Sequence, residues 1–314
     1  MEKLPKGLWP VMLTPFQEDN SVDYKVLEQL TEFYIATGAN GLFANSLSSE
    51  MFQLTDQERI SITQTVVKKT NGRIPVVSTG TFGRDLHRNA EFIKKLYDSG
   101  VQAVVINSNQ LNDKMASEDA FKRQVEHLLN ATGDISLGMY ECPVPYKRLI
   151  SPEMMQWLGK TGRFLYHKDT SCNLDDMREK IRAIKHTPLG LFNANTPTGL
   201  ESLRMGARGL SPTSANYYPE LFRYLIQHAD HNDDKMEKLD ATLSLLDSTT
   251  DSCYYPLAAK IFLQQRGLPV LPLTRVPVPA LDQQDYIKLN DIMKIMNNMA
   301  DELGIHLANV NKIV

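Results

Sequence analysis

The run Phe164-Leu165-Tyr166-His167-Lys168-Asp169-Thr170-Ser171 carries the most reactive arrangement in the chain. An apolar, aromatic stretch reads as a strand, and it ends on a lysine before breaking into Asp-Thr-Ser. A lysine at the carboxyl end of a buried strand must pair, stay solvated or lose its proton. The neutral amine is a nucleophile able to form a Schiff base with a carbonyl substrate. The bland alternative is a lysine that opens a surface loop, and for this segment alone that is the commoner case.

Groups able to assist such an amine stand at the ends of other apolar runs. Tyr140 ends one and is the obvious phenol among them. Ser48, Ser49 and Glu50 follow a second, Asn107 and Asn109 a third, Asn193 and Asn195 a fourth, and Ser211 closes the last. The asparagines fit a polar pocket for a polyhydroxylated ligand, although asparagine is also an ordinary loop residue. Asn195 and Arg208 are expected at the pocket mouth. Cys142 and Cys172 adjoin these segments and are expected to pack as small apolar side chains. There is no His-x-x-x-His helix, no Cys-x-x-Cys pair and no carboxylate cluster, so neither a metal site nor a cofactor is expected.

Positioning these groups together requires a repeating scaffold. Strands are expected over 8–13, 40–45, 73–78, 101–106, 135–140, 162–168, 189–192 and 209–211. Helical periodicity falls between them, over 26–37, 56–69, 86–99, 118–130, 152–160, 174–185 and 198–205. Alternating strands and helices imply a parallel sheet with right-handed crossovers. Eight strand units predict an α/β fold of the (β/α)8 TIM-barrel type, whose active site lies at the carboxyl ends of the strands. A doubly wound sheet is the structural alternative. It would usually carry a glycine-rich loop after the first strand, where this chain has Thr14-Pro15-Phe16. From about Leu225 only helices are read, over 234–246, 255–265 and 286–303. The stretch between the last two holds Pro269, Pro272, Pro277 and Pro279 and cannot be continuous helix. The expected organisation is a catalytic barrel over 1–224 and a C-terminal helical region over 225–314.

Composition narrows the class. The chain has 314 residues, 42% hydrophobic and 23% charged, with a net charge of -3. That is the balance of a soluble globular protein with no overall basic character for nucleic acid. No apolar run approaches the ~20 residues of a membrane span. The first residues lack the apolar segment of a signal peptide. Three scattered cysteines make no disulfide framework. A cytoplasmic protein without membrane or nucleic-acid partners is expected.

Taken in order, the strand-end motifs resemble those of the dihydrodipicolinate synthase / N-acetylneuraminate lyase family of class I, Schiff-base aldolases. The resemblance rests on Thr14-Pro15-Phe16; on Ser46-Leu47-Ser48-Ser49-Glu50 where the family carries Gly-Thr-Thr-Gly-Glu or Gly-Ser-Thr-Gly-Glu; and on Leu54-Thr55 and Glu58-Arg59 in register behind it. It continues with Tyr140-Glu141-Cys142-Pro143 against Tyr-Asn-x-Pro, and Lys168-Asp169-Thr170-Ser171 against Lys-Asp-(Thr/Ser)-Ser. Gly206-Ala207-Arg208-Gly209-Leu210-Ser211 is close to the family's Gly-x-x-Gly-x-x-Ser. It spans essentially the whole chain. By this resemblance Lys168 forms an imine with a 2-keto acid, most often pyruvate, and Tyr140 relays protons. Ser48 and Ser49 bind the keto-acid carboxylate, with Ser211 adding a contact, while Glu50 braces its loop. The resemblance also implies a homo-oligomer, dimer or tetramer, and a carbon–carbon or carbon–oxygen lyase.

Three positions depart from the family pattern. Leu47 replaces the hydroxyl that links the catalytic tyrosine to a second tyrosine from a neighbouring subunit, and leucine relays no proton. Asn107-Ser108-Asn109-Gln110 replaces Thr-Pro-Tyr-Tyr, so that second tyrosine is missing. Val144-Pro145-Tyr146 stands where the synthase carries an arginine for the incoming aldehyde's carboxylate, with basic residues only at Lys147 and Arg148. The leading expectation is a class I lyase or aldolase acting on pyruvate or a sugar-derived keto acid. The alternatives are dihydrodipicolinate synthase proper and a keto-acid-binding paralogue without turnover.

Overall fold

A computed structural model describes residues 2–308 and 310; the outermost positions of the two expected units lie outside the described residues. Eight parallel strands form one sheet: β1 (Gly7–Leu8), β2 (Leu42–Ala44), β3 (Val76–Thr79), β4 (Ala103–Asn107), β5 (Leu137–Tyr140), β6 (Phe164–Asp169), β7 (Gly190–Asn193) and β8 (Gly209–Leu210). They run in the order β1-β8-β7-β6-β5-β4-β3-β2. A parallel bridge from Val11 to Phe43 joins the two ends, so the sheet closes into a (β/α)8 barrel. The expected first strand over 8–13 is reduced to two residues and that bridge. Pro10 has no N–H to give a ladder, and its carbonyl accepts from the Phe43 N–H at 3.0 Å while Met12 N–H donates to the Phe43 carbonyl at 3.0 Å.

Seven helices return the chain between strands: α1 (Tyr24–Ala36), α2 (Asp56–Thr70), α3 (Leu86–Tyr97), α4 (Glu118–Ala131), α5 (Pro152–Lys160), α6 (Leu174–Ile184) and α7 (Gly199–Arg204). Their starts are written locally. Asp23, Asp85, Ser117, Ser151 and Asn173 cap helix amide groups with their side chains, and Thr55 with Glu58 forms a capping box. Four further helices follow: α8 (Pro219–Gln227), α9 (Asp234–Asp251), α10 (Leu257–Gln265) and α11 (Gln283–Leu303). α8 lies outside the expected helical stretches. α9 runs past the expected end at 246 although the run Asp247-Ser-Thr-Thr-Asp has weak helix propensity. Tertiary contact holds that last turn: Asp247 Oδ1 accepts from Thr196 Oγ1 at 2.8 Å. No helix among the described residues is long and apolar enough to cross a membrane.

The barrel interior is aromatic. Trp9, Phe43, Tyr166 and Phe192 are fully buried; Tyr166 stacks on Phe192 at 4.5 Å and meets Phe43 edge-on at 5.6 Å. This plug fills the lower barrel and forms a dry floor beneath the strand ends.

Candidate active site

A register shift between β5 and β6 sets the aim of the lysine. Leu137 pairs with Phe164, but Gly138 pairs with Tyr166, so one extra residue is accommodated at Leu165. Such bulges re-aim the side chains beyond them. After the shift Tyr166 and Lys168 face the barrel interior, while His167 and Asp169 face outward by strand alternation. Tyr140 pairs directly with Lys168 across the ladder.

Lys168 lies at the bottom of a cavity of about 460 Å³ at the carboxyl ends of the strands, with Tyr140 and Ser48 on its wall. Its ammonium stands 4.8 Å from the Tyr140 ring centroid and 5.8 Å from that of Phe43. Among the described residues no carboxylate pairs with it. Loss of solvent therefore dominates, and its pKa falls from 10.5 to about 7. Burial, with the neighbouring Cys142 thiol next, pushes the Tyr140 phenol well above its ordinary value, so it holds its proton.

The outward-facing neighbours of these two residues form a separate ionic layer. Lys180 on α6 reaches Glu141 Oε1 and Asp169 Oδ2, each at 2.7 Å, and Asp176 at 2.7 Å. Glu141 Oε2 accepts from the Thr170 N–H at 2.8 Å, and Oε1 from the Ile150 N–H at 2.9 Å. Glu141, His167 and Asp169 approach within 4.8 Å of one another, a spacing open to a cation. The Lys180 ammonium supplies the positive charge there. Despite desolvation, its carboxylate partners raise its pKa, and the Asp169 carboxyl is lowered against its own desolvation by His167 and Lys180. The network locks the residues following Tyr140 and flanking Lys168 onto α6.

The loop after β2 is braced from α10 and from the connection between α10 and α11. Glu50 is buried with a left-handed backbone (φ 58°). Its Oε1 meets Lys260 Nζ at 2.7 Å, and its Oε2 accepts from the N–H groups of Arg275 at 2.5 Å and Val276 at 2.8 Å. This is the bracing role expected of Glu50, with partners more than 200 residues away.

Several expected contacts fall elsewhere. The cavity takes Ser48 and Asn195, but not Ser49, whose hydroxyl donates to the Met12 carbonyl at 2.5 Å and accepts from the Ser46 N–H at 3.0 Å. Ser211 is likewise committed inside the barrel. Its hydroxyl accepts from Tyr166 at 2.9 Å and donates to the Trp9 carbonyl at 2.7 Å, and its N–H donates to the Asn193 carbonyl at 2.7 Å. Arg208 lies at the opposite, amino end of β8 and donates to the Leu4 carbonyl at 2.6 Å. Asn109 ties the loop after β5 through the carbonyls of Cys142, Val144 and Tyr146. Asn193 ties Thr198 and Ser202. Both are braces, Asn109 through loop carbonyls and Asn193 through neighbouring hydroxyls. Cys142 is buried, but Cys172 is exposed and lines the cavity, where an apolar packing role was expected.

Sequence reasoning missed the part of the wall supplied from beyond the barrel. Tyr255, Asp247 and Asp251 line the cavity from α9 and the turn after it. Burial raises both aspartate carboxyls. No local motif marks these residues, since their role follows from how α9 packs over the turn at Thr196.

Comparison with known proteins bears on the family and the fold. The sequence model of the Dihydrodipicolinate synthetase family matches residues 4–296. The 4-hydroxy-tetrahydrodipicolinate synthase of Shewanella denitrificans is 26% identical over 290 residues, 92% of this chain and 97% of that protein. That of Porphyromonas gingivalis is 26% identical over 87% of this chain and 91% of its own length. Among solved structures, a dihydrodipicolinate synthase of Bacillus anthracis superposes with TM-score 0.85 at 20% identity, covering 94% of this chain and 99% of that one. The Escherichia coli K12 prophage protein YagE, solved in complex with pyruvate, gives 0.83 at 21% identity, covering 93% and 98%. With the match extending from the first strand through most of α11, the chain belongs to the dihydrodipicolinate synthetase family and is a carbon–carbon lyase.

Proposed function

We propose that the protein is a class I aldolase that joins Lys168 to a 2-keto acid, pyruvate or a sugar-derived keto acid, as a Schiff base. The observation that carries this reading is the unpaired Lys168 amine, held near pKa 7 by burial beside Tyr140. An amine half neutral at pH 7 attacks a carbonyl that an ordinary lysine, protonated at that pH, leaves untouched. In the proposed reaction the Lys168 nitrogen attacks C2, the resulting carbinolamine loses water with a proton from Tyr140, and a protonated imine remains. Where the keto acid carries a C4 hydroxyl, breaking the C3–C4 bond sends its electron pair into the imine, giving an enamine and a released aldehyde, while Tyr140, deprotonated in the dehydration, takes the proton of the C4 hydroxyl. The reverse sequence makes the bond. Ser48 donates to the keto-acid carboxylate.

Borohydride trapping with pyruvate, read by intact mass, tests the proposal. A reduced adduct that disappears in Lys168→Ala is expected. No adduct, or one that survives Lys168→Ala, rejects the pyruvate reading. Leu47 on the cavity wall and the lack of an arginine there, among the described lining residues, argue against the synthase reaction itself. Leu47 also favours the second reading, a keto-acid binder without turnover; binding without product across a broad aldehyde panel would establish it. The division into a barrel over 1–224 and a helical region over 225–314, from the pattern of elements, a cytoplasmic setting, from composition, and a homo-oligomeric assembly, from the resemblance, are proposed with it.

A further inference from the structure

The cavity above Lys168 has more room than a three-carbon acid on its floor would fill. Its volume of about 460 Å³ falls in the ~300–1,000 Å³ range of small-molecule sites. The walls around the remaining space come from outside the lysine strand. Asn195 and Thr213 follow β7 and β8, and Asp247 and Asp251 stand on α9.

Asp247 is fixed in that wall. It is about nine-tenths buried, and its Oδ1 accepts from Thr196 Oγ1 at 2.8 Å. Asp251 follows one turn later on the same helix face and is exposed, at the mouth of the cavity. Like charges at this spacing repel each other. Burial raises both carboxyls, Asp251 adds to the rise at Asp247, and among the described residues no cation offsets either charge. Besides Lys168, the basic residue lining the cavity is Lys147, whose ammonium donates to the Thr170 carbonyl at 2.8 Å. The α9 side of the cavity is therefore a wall of negatively charged acceptors. An ionised carboxylate accepts from a hydroxyl but has no proton to give a second carboxylate, and opposing two like charges is an effective way to reject a ligand.

We infer that Asp247 determines specificity: supported by Asp251, it accepts from hydroxyls along the far end of the 2-keto acid and turns away chains that end in a second carboxylate. This rests on the keto-acid reading of the cavity and narrows it to longer, hydroxyl-bearing acids. It also gives α9, which lies outside the barrel, the choice of ligand.

The test compares two six-carbon acids that differ only at C6. 6-Hydroxy-2-oxohexanoate ends in a hydroxymethyl group, 2-oxoadipate in a carboxylate, and neither has a C4 hydroxyl to allow cleavage. Calorimetric binding to the full-length wild type is expected to favour the hydroxy acid about tenfold. Asp247→Asn keeps the shape and the acceptor for Thr196 but removes the charge, and should bring the ratio of the two affinities to about one. Asp251→Asn changes an exposed side chain and should lower the ratio by roughly threefold, because its charge is better screened. Taking the ratio within each protein cancels any general loosening of the fold. Equal affinities in the wild type, a preference for 2-oxoadipate, no binding of either acid, or a ratio that neither variant moves would each overturn the inference. Borohydride trapping of pyruvate tests the Schiff base separately. The expected ratio without any trapped adduct leaves the role of Asp247 standing, whereas trapped pyruvate with equal affinities removes that role alone.

Discussion

Replacing Lys168 by methionine should stabilise the fold, and by an amount that depends on pH in one direction. The folded-state pKa of Lys168 lies at about 7 against 10.5 unfolded. In that interval the unfolded chain binds more protons than the native one, so native stability rises with pH. The penalty for burying the amine is absent above the unfolded value, grows as pH falls, and is complete below about 7. At 1.36 kcal/mol per tenfold step, the full gap corresponds to about 5 kcal/mol at pH 6 and about 2 kcal/mol at pH 9. Methionine has similar length and no charge, so Lys168→Met removes this term and adds a packing change that does not vary with pH. Denaturant unfolding of both proteins at pH 6 and pH 9 isolates the difference, since other titrating groups cancel. The advantage of the variant should be about 3 kcal/mol larger at pH 6 than at pH 9. Parallel stability curves would mean that Lys168 is solvated or paired, and an advantage growing toward pH 9 would reverse the sign of the argument. Either result would undermine the nucleophile assignment along with the stability claim.

The same amine sets a kinetic profile: the rate of pyruvate trapping should rise with pH through a single midpoint near 7, and a midpoint near 10 would contradict the desolvated lysine. Tyr140→Phe should retain borohydride-trappable adduct yet lower turnover by about 10²- to 10⁴-fold, the usual loss for a missing acid–base group, as measured with whichever aldehyde proves productive. Lys180→Met strands Glu141 and Asp169 without their buried cation, and should cost about 3–5 kcal/mol in denaturant unfolding at pH 7. Glu50→Gln breaks the buried pair with Lys260. A loss of similar size, about 3 kcal/mol or more, is expected from the same measurement.

The barrel was legible because each of its units repeats a local signal. Apolar runs end in polar residues, amphipathic helices follow, and Asp, Ser or Thr caps announce their starts. The placement of Lys168 and Tyr140 on the cavity was legible for the same reason: both terminate such runs. Three kinds of feature escaped. Pro10 shortened the first strand because it brings no N–H to the ladder with the β2 segment, which is distant in sequence. Ser49, Ser211 and Asn193 carry the polarity expected of binding groups, yet backbone carbonyls and neighbouring hydroxyls consume them. The last turn of α9 has weak intrinsic propensity and is stabilised by the Asp247–Thr196 contact.

These misses share a cause that bears on how the site could diverge. Strand-end residues are fixed by the ladder, so the half of the cavity around Lys168 is constrained by the fold itself. The wall contributed by Tyr255, Asp247 and Asp251 hangs on helix packing, where a small shift in α9 changes which side chains face the ligand. Leu47 and Gln110 stand where resemblance would place a proton path through a second subunit, and Tyr255 brings a hydroxyl to the cavity wall from within the same chain. A substitution in the helical region can therefore alter what the cavity accepts without disturbing the barrel that holds the amine. The expected contrast is sharp: changes at Tyr255 should shift which ligands bind while leaving the Lys168 adduct trappable, whereas changes at Lys168 should abolish trapping altogether.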